Sequence, residues 1–367
     1  MRNSFFVILI LALLICSLGL LSIYSSAYQK EGKLWQSIFE RQILWIILGV
    51  ALFSIISNIS YRRFWDLTYL LYVISFLFLL LVFALGTTRL GAQRWLRLGW
   101  FNFQPSELSK IVMVIFLARY FSRKAVDDID LLSGKFGLGR GLILPFFFTA
   151  IPVALIIEQP DLGSGIILLI LFISMLYLTN VRLRYIFTFL AVMSLPLPFM
   201  WHLLRDYQKD RLLVFLNPNI DPLGAGYTVI QSKIAIGSGW LWGKGWLSGT
   251  QSQLHFLPES HTDFIFATFS EEWGFLGSLT LLFLYFLLIR QGFLIAQRTQ
   301  DSFGKLLAYG ITLMLAIQVS VNVAMNLGLA PVVGIPLPLM SYGGSSIFVT
   351  FIALGILANI DKTRAVF

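Results

Sequence analysis

Phe5-Phe6-Val7-Ile8-Leu9-Ile10-Leu11-Ala12-Leu13-Leu14-Ile15-Cys16-Ser17-Leu18-Gly19-Leu20-Leu21-Ser22-Ile23-Tyr24 carries no charge, and about twenty apolar residues make one helix across a bilayer core. The run is too long for a typical signal-peptide core, and Ser25-Ser26-Ala27 is a weak cleavage-like site, so it reads as an uncleaved first span. The rest of the chain continues in kind. Its 367 residues are 57% hydrophobic and 12% charged, where a soluble domain would be about 25% charged. A mean hydropathy of +0.81 excludes disordered, collagenous, disulfide-scaffold and ordinary soluble classes together. The single cysteine, Cys16, lies inside the first run and cannot form an internal disulfide.

Apolar runs recur at about 5–24, 43–59, 68–85, 107–121, 142–158, 165–179, 185–201, 264–289, 308–327 and 345–360, which predicts an all-α protein of about ten membrane helices. No fixed-period repeat or soluble linker divides it, so residues 1–367 form a single integral membrane domain. Cations gather on alternate connections: Arg62 and Arg63, then Arg123, Lys124, Lys135 and Arg140, then Arg182 and Arg184, then Arg298 and Lys305, then Lys362 and Arg364. The short connections between hold only Lys30, Lys33, Arg41, Arg89, Arg94 and Arg97. The positive-inside rule then puts both termini in the cytoplasm. A long extracytoplasmic loop, about 202–263, carries Arg205, Lys209, Arg211, Lys233 and Lys244. Its Gly237-Ser238-Gly239-Trp240-Leu241-Trp242-Gly243-Lys244-Gly245-Trp246 fails the phosphate-loop pattern, with Ser238 at the first Gly position and Gly245 at the Ser/Thr position. Its tryptophans suit a bilayer interface, as does a short helix over Tyr227 to Ile236.

The outer face concentrates the acids Glu107, Glu158, Asp161, Glu259 and Asp263 near span boundaries, where ionisable groups are costly enough to be functional candidates. Pro105 suits a first helical turn, and Glu107 and Lys110, three apart, share a helix face. They form either a neutralised pair at a helix start or an acid that orients Lys110 toward a substrate phosphate. Ser260-x-x-Asp263 before an apolar run fits a capping box. The sharper alternative is a carboxylate at the mouth of a membrane groove, its pKa raised toward the range of a general base. Gln318, Asn322 and Asn326 make one polar stripe, best suited to interhelical hydrogen bonding. Glu271 and Glu272 lie within a span, where one could pair with a cation from another helix. The prolines of Pro331 to Pro338 break the chain before the last span, and Ser341, Gly343 and Gly344 could cradle an anion there.

Pro336-Leu337-Pro338-Leu339-Met340-Ser341-Tyr342-Gly343-Gly344-Ser345 resembles the signature of the shape, elongation, division and sporulation family. Arg94-Trp95 through Lys110, Gln159-Pro160-Asp161-Leu162-Gly163, Lys209-Asp210-Arg211, Gly226-Tyr227, Ala235 to Gly239 and Leu257 to Phe264 also match it, in order and over nearly the whole chain. Gly249-Thr250-Gln251-Ser252-Gln253-Leu254 is similar to its elongation branch. The resemblance implies a peptidoglycan glycosyltransferase of the bacterial cytoplasmic membrane, acting on its outer face. It would polymerise lipid II by inverting transfer, with undecaprenyl diphosphate leaving. Its partners would be a class B penicillin-binding protein and other elongation-complex membrane proteins, with no nucleic acid. The resemblance puts the family's essential aspartate on Asp263, as general base, and its conserved acid and lysine on Glu107 and Lys110. Arg94, Arg97, Arg211 and Lys244 would hold diphosphates, and His261, Ser341, Gly343 and Gly344 would complete the substrate contacts. A divalent cation, Mg or Mn, could assist. The alternatives are a lipid II flippase, which the polar stripe and broken loop also suit, and a scaffold for the crosslinking enzyme.

Overall fold

The computed structural model describes residues 3–27, 34–89, 92–99, 101–127, 139–179, 181, 183–195, 206–222, 224, 226–254 and 256–363. The cations Lys30, Lys33, Lys135, Arg182, Arg205 and Arg364 lie outside these. Each of the ten apolar runs overlaps a helix, residues 196–201 of the seventh run lying outside the described ones: α1 (Asn3–Ala27), α2 (Leu34–Ile56), α3 (Arg62–Leu85), α4 (Pro105–Asp127), α5 (Leu144–Glu158), α6 (Leu162–Tyr177), α7 (Leu183–Ser194), α11 (Ile265–Arg298), α12 (Ser302–Asn326) and α13 (Gly344–Thr363). Among the described residues seven helices are long and apolar enough to cross a membrane: α1, α2, α3, a span at Gly141–Glu158 that includes α5, α11, α12 and α13. Helices α6 and α7 are shorter apolar helices, and α4 is not among the seven. The chain is thus a polytopic helical membrane protein.

The connections expected on the outer side contain more regular structure than plain loops. Instead of a plain loop, the segment before α4 forms a three-stranded antiparallel sheet of β1 (Thr87–Arg89), β2 (Ala92–Leu98) and β3 (Phe101–Phe103), a small addition to an otherwise helical fold that the sequence reading lacked. Gly99, at φ 63°, starts the tight connection that pairs Leu98 with Phe101. The loop expected over about 202–263 contains α8 (Asp206–Leu216), a 3₁₀ turn (Pro218–Ile220), α9 (Tyr227–Ser238) and the single turn α10 (Thr250–Gln253). Helix α9 buries Val229, Ser232 and Ala235 and packs mainly against α11.

Helix α13 is the centre, buried along most of its length and packed against α2, α4 and α12. Helix α3 turns Leu70, Val73, Leu77 and Leu85 outward, as a helix in contact with lipid must. Helix α11 is interrupted at Gly274, whose φ of 67° and ψ of −163° are non-helical. In a bilayer the backbone groups freed by such a break need partners within the protein. The Gly- and Trp-rich segment supplies them. Lys244 N donates to Glu271 O (3.0 Å) and Gly245 N to Glu272 O (3.0 Å), while Phe275 N donates to Trp240 O (2.7 Å) and Leu276 N to Leu241 O (3.2 Å). A Cβ at Gly243 would lie 2.0 Å from Glu272 O, so this close approach requires glycine.

Candidate active site

Asp263 lies in the turn just before α11. The helix N-cap is Phe264, with no side-chain capping bond, so the capping-box reading of Ser260 and Asp263 does not hold. The turn is closed on Glu259, at φ 50°. Its carbonyl accepts from Thr262 N (3.1 Å) and Phe264 N (3.3 Å), and its carboxylate accepts from Thr262 Oγ1 at 2.9 Å. The polar stripe on α12 holds this turn in place. Asn322 Nδ2 donates to Asp263 O at 3.0 Å and to Ile335 O at 2.7 Å. Asn326 Nδ2 donates to Asp263 O at 3.1 Å, and its Oδ1 accepts from Ala267 N at 3.2 Å. Ser341 Oγ adds a bond to Thr262 O (2.6 Å) and receives one from Leu337 N (2.8 Å).

The carboxylate of Asp263 opens into a cavity of about 650 Å³, whose walls include Arg41, Arg94, Arg211, Glu259, His261 and Tyr342. Gly334, at φ 71°, would place a Cβ 3.4 Å from Asp263 Oδ2 and 3.9 Å from Arg94 Nη1, so both groups flank the same point of the cavity wall. Arg94 Nη2 donates to Pro160 O, fixing the guanidinium. Burial pushes the Asp263 carboxyl up to about 6, and nearby Glu259 adds to the rise while Arg94 and then Arg211 oppose it. The result is a carboxylate still ionised at neutral pH that is a stronger base than a free one. Three guanidinium groups against two carboxylates give the cavity an anion-binding balance.

The structure separates the remaining expected residues into two groups. Arg94, Arg211, His261, Asp263, Gly343 and Gly344 meet in the cavity. Glu107 and Lys110 do not reach its wall: they pair with each other at 2.6 Å, with side chains 3% and 1% exposed. They lie behind the wall, beside Gln104 and Ser106, which donate to Asp161 Oδ2 at 3.1 and 2.8 Å. Asp161 also caps α6 through Ser164 N. This arrangement ties α4 to α6 under the cavity floor. Arg97 is exposed outside the cavity. Lys244 is also elsewhere, paired at 2.7 Å with Glu271, whose carboxylate further accepts from Thr250 Oγ1 and Gln251 N. The Gly343 amide is engaged by Gln42 Oε1 at 3.3 Å, and Trp45 and Phe101 crowd Gly344, so the expected anion cradle is partly filled by α2. Arg41, Trp45 and Tyr342 were not anticipated as cavity residues. The four-residue spacing of Arg41 and Trp45 puts them on one face of α2, and that polar-aromatic face on an apolar helix was the available signal.

A family model described as cell cycle protein, covering FtsW, RodA and SpoVE, matches residues 5–365. The peptidoglycan glycosyltransferase MrdB of Escherichia coli K12 is 44% identical over 358 residues, which cover 97% of this chain and 92% of that protein. The peptidoglycan glycosyltransferase RodA of Treponema pallidum is 33% identical, with 98% of each chain covered. Among solved structures, a chain of a peptidoglycan synthase complex that coordinates polymerization and crosslinking superposes with a TM-score of 0.81 at 31% identity, covering 97% of both chains.

Proposed function

The chain belongs to the FtsW/RodA/SpoVE family, and on that premise we propose how this peptidoglycan glycosyltransferase uses its cavity. The 4-hydroxyl of the acceptor sugar attacks the anomeric carbon of a lipid-linked donor. The new C–O bond forms as the bond to the diphosphate breaks with inversion. The hydroxyl proton goes to Asp263, and undecaprenyl diphosphate leaves with the bonding electron pair. Arg94 and Arg211 stabilise the charge that develops on the leaving diphosphate, as fixed cations in a partly desolvated site do most effectively. The observation that carries this reading is the placement of Asp263 beside Arg94 in one cavity. Glu107 and Lys110 act by holding α4 and the cavity floor.

Among the described residues no three His, Cys, Asp or Glu side chains gather as a metal site. Magnesium, however, is commonly held by one or two carboxylates plus substrate phosphates, a role that Glu259 could fill beside the diphosphate while Asp263 stays free to act as the base. Such an ion, or manganese, would supply charge to the diphosphate. Lipid II is the proposed substrate, and the cavity faces the outside of a bacterial cytoplasmic membrane with about ten spans and both termini inside. A class B penicillin-binding protein is the proposed partner, with other elongation-complex proteins beside it. Asn322 and Asn326, two of the three residues of the polar stripe that suited a flippase, are committed to the Asp263 and Ile335 carbonyls, which favours the transferase reading over translocation.

The test is polymerisation of lipid II by purified protein in detergent. Base catalysis contributes about 10²- to 10⁴-fold, so Asp263→Asn should lose at least that much while remaining monodisperse. Wild-type rates in the variant would sink the assignment.

A further inference from the structure

The turn that carries Asp263 is held from outside at three successive carbonyls. Asp263 O accepts from Asn322 and Asn326 on α12. The two carbonyls before it are gripped by another element: Thr262 O accepts from Ser341 Oγ at 2.6 Å, and His261 O accepts from Tyr342 N at 2.9 Å. Ser341 and Tyr342 lie in the stretch before α13 that forms neither helix nor strand, so their position depends on what holds that backbone. Helix α2 supplies a hold. Gln42, only 1% exposed, donates from Nε2 to Ser341 O (3.1 Å) and accepts at Oε1 from Gly343 N (3.3 Å), so a single amide brackets Tyr342. A side-chain amide carries a donor and an acceptor on one planar group, and an ionised carboxylate of the same length lacks the donor.

We propose that Gln42 is a positioning residue for the transfer reaction: it fixes the 341–343 backbone, which fixes the His261 and Thr262 carbonyls and thereby the placement of Asp263. This rests on the assignment of Asp263 as the base. Gln42 and Ser341 are both buried and stand outside the cavity wall, so neither touches substrate. The diphosphate-binding Arg94 and Arg211 stand on other elements, β2 and α8. Removing the amide leaves Ser341 O and Gly343 N without these partners, and buried backbone groups left unpaired are costly. The loop relieves that cost by shifting, and the turn bonded to it shifts too. The effect falls on the geometry of the base and spares the binding of diphosphate.

Gln42→Met keeps the length of the side chain and removes both bonds. In polymerisation of lipid II by the purified protein, its kcat should fall about 10- to 100-fold, since a displacement of up to about 1 Å can cost 100-fold, with KM little changed. The acid limb of the rate should also move to lower pH. Burial is the first cause that holds the Asp263 carboxyl at about 6, ahead of Glu259, Arg94, Arg211 and Asp161, and a loosened turn admits water. A mere packing role for Gln42 would lower the yield of folded protein and leave the limb in place. Ser341→Ala cuts the same connection one step further on, so the Gln42→Met, Ser341→Ala double variant should be little slower than the slower single one. Gln42→Glu keeps the acceptor for Gly343 N and should recover part of the rate. An unchanged kcat, a KM that rises as far as kcat falls, an unmoved limb, losses that multiply in the double variant, or failure of both Gln42 variants to fold each overturn the proposal. Full activity in Asp263→Asn would remove the base assignment and this role with it, whereas an inactive Asp263→Asn beside unaltered Gln42 variants would remove this role alone.

Discussion

Asp263 needs its proton absent to act as a base, so the direction of its pH dependence follows from its surroundings. With its pKa raised to about 6, activity should fall as pH drops through about 6. Glu259→Gln removes a negative neighbour that raises this value, so the acid limb of kcat/KM should move to lower pH; an unmoved limb would show that Glu259 does not act on Asp263. The same burial has a consequence for stability. An ordinary aspartate titrates near 3.9, so the folded value lies above the unfolded one. The stabilising contribution is therefore present below about pH 4 and is lost as pH rises through about 6. At pH 7.5 the ionised, partly desolvated carboxylate burdens the fold, and Asp263→Asn should raise the unfolding midpoint while removing activity, a trade expected of active sites. An unchanged or lowered midpoint would count against it. Asp263 was legible in the sequence because a carboxylate at the mouth of a span is costly and conspicuous. That it is not the helix cap, which leaves the proposed base role, depended on the helix starting at Ile265, beyond what spacing decides. For Lys110 the sequence left two readings open for the converse reason: an (i, i+3) acid partner was visible, and the pair forms, but whether it lined the cavity or lay behind it was set by helices α6 and α12 packed against α4.

The broken helix α11 makes the clearest prediction among the elements. Gly274 has a positive φ, and a Cβ there would lie 2.3 Å from Gly243 N and 2.7 Å from Trp242 C. Both are backbone atoms that cannot swing aside. Gly274→Ala should therefore expel the Trp240–Gly245 segment from the break, strand four backbone bonds and lower the unfolding midpoint sharply. Lys244→Met should also reduce stability, because Glu271 is fully buried and loses its cation, as happens when one partner of a buried pair is removed. It should leave KM for lipid II unchanged, and a raised KM would restore Lys244 to substrate binding. The ten helices were readable because each is a long apolar run. The strands were not, since three to seven residues of mixed polarity between two spans carry too little periodicity to separate from a loop. The break at Gly274 was hidden for another reason: Glu271 and Glu272 just before it were readable as partners for a cation on another helix, and the backbone partners of the break lay in a distant segment rich in glycine.

Across the whole molecule the cavity is assembled from α2, β2, α8, the turn before α11 and the proline-rich segment before α13. Single-chain periodicity identifies each piece and is silent on their meeting, because the contacts join residues up to 301 positions apart, as between Gln42 and Gly343. Asn322 is where two of these pieces are locked together, through one amide nitrogen donating to both Asp263 O and Ile335 O. Asn322→Leu preserves approximate volume but removes the donors, leaving Ile335 O unpaired and Asp263 O dependent on Asn326. Each buried group left unsatisfied costs about 1–3 kcal/mol, which the protein can relieve by letting the Asp263 turn and the 331–337 segment drift apart. Catalysis is sensitive to such drift, since a displacement of about 1 Å can cost 100-fold in rate, while Arg94 and Arg211, held on β2 and α8, would still bind diphosphate. The expected result is a protein of lower unfolding midpoint whose kcat falls about 100-fold with KM nearly constant. Equal losses in binding and turnover would instead mean that Asn322 holds the cavity as a whole, and the separation between a positioned base and its anion-binding walls would have to be abandoned.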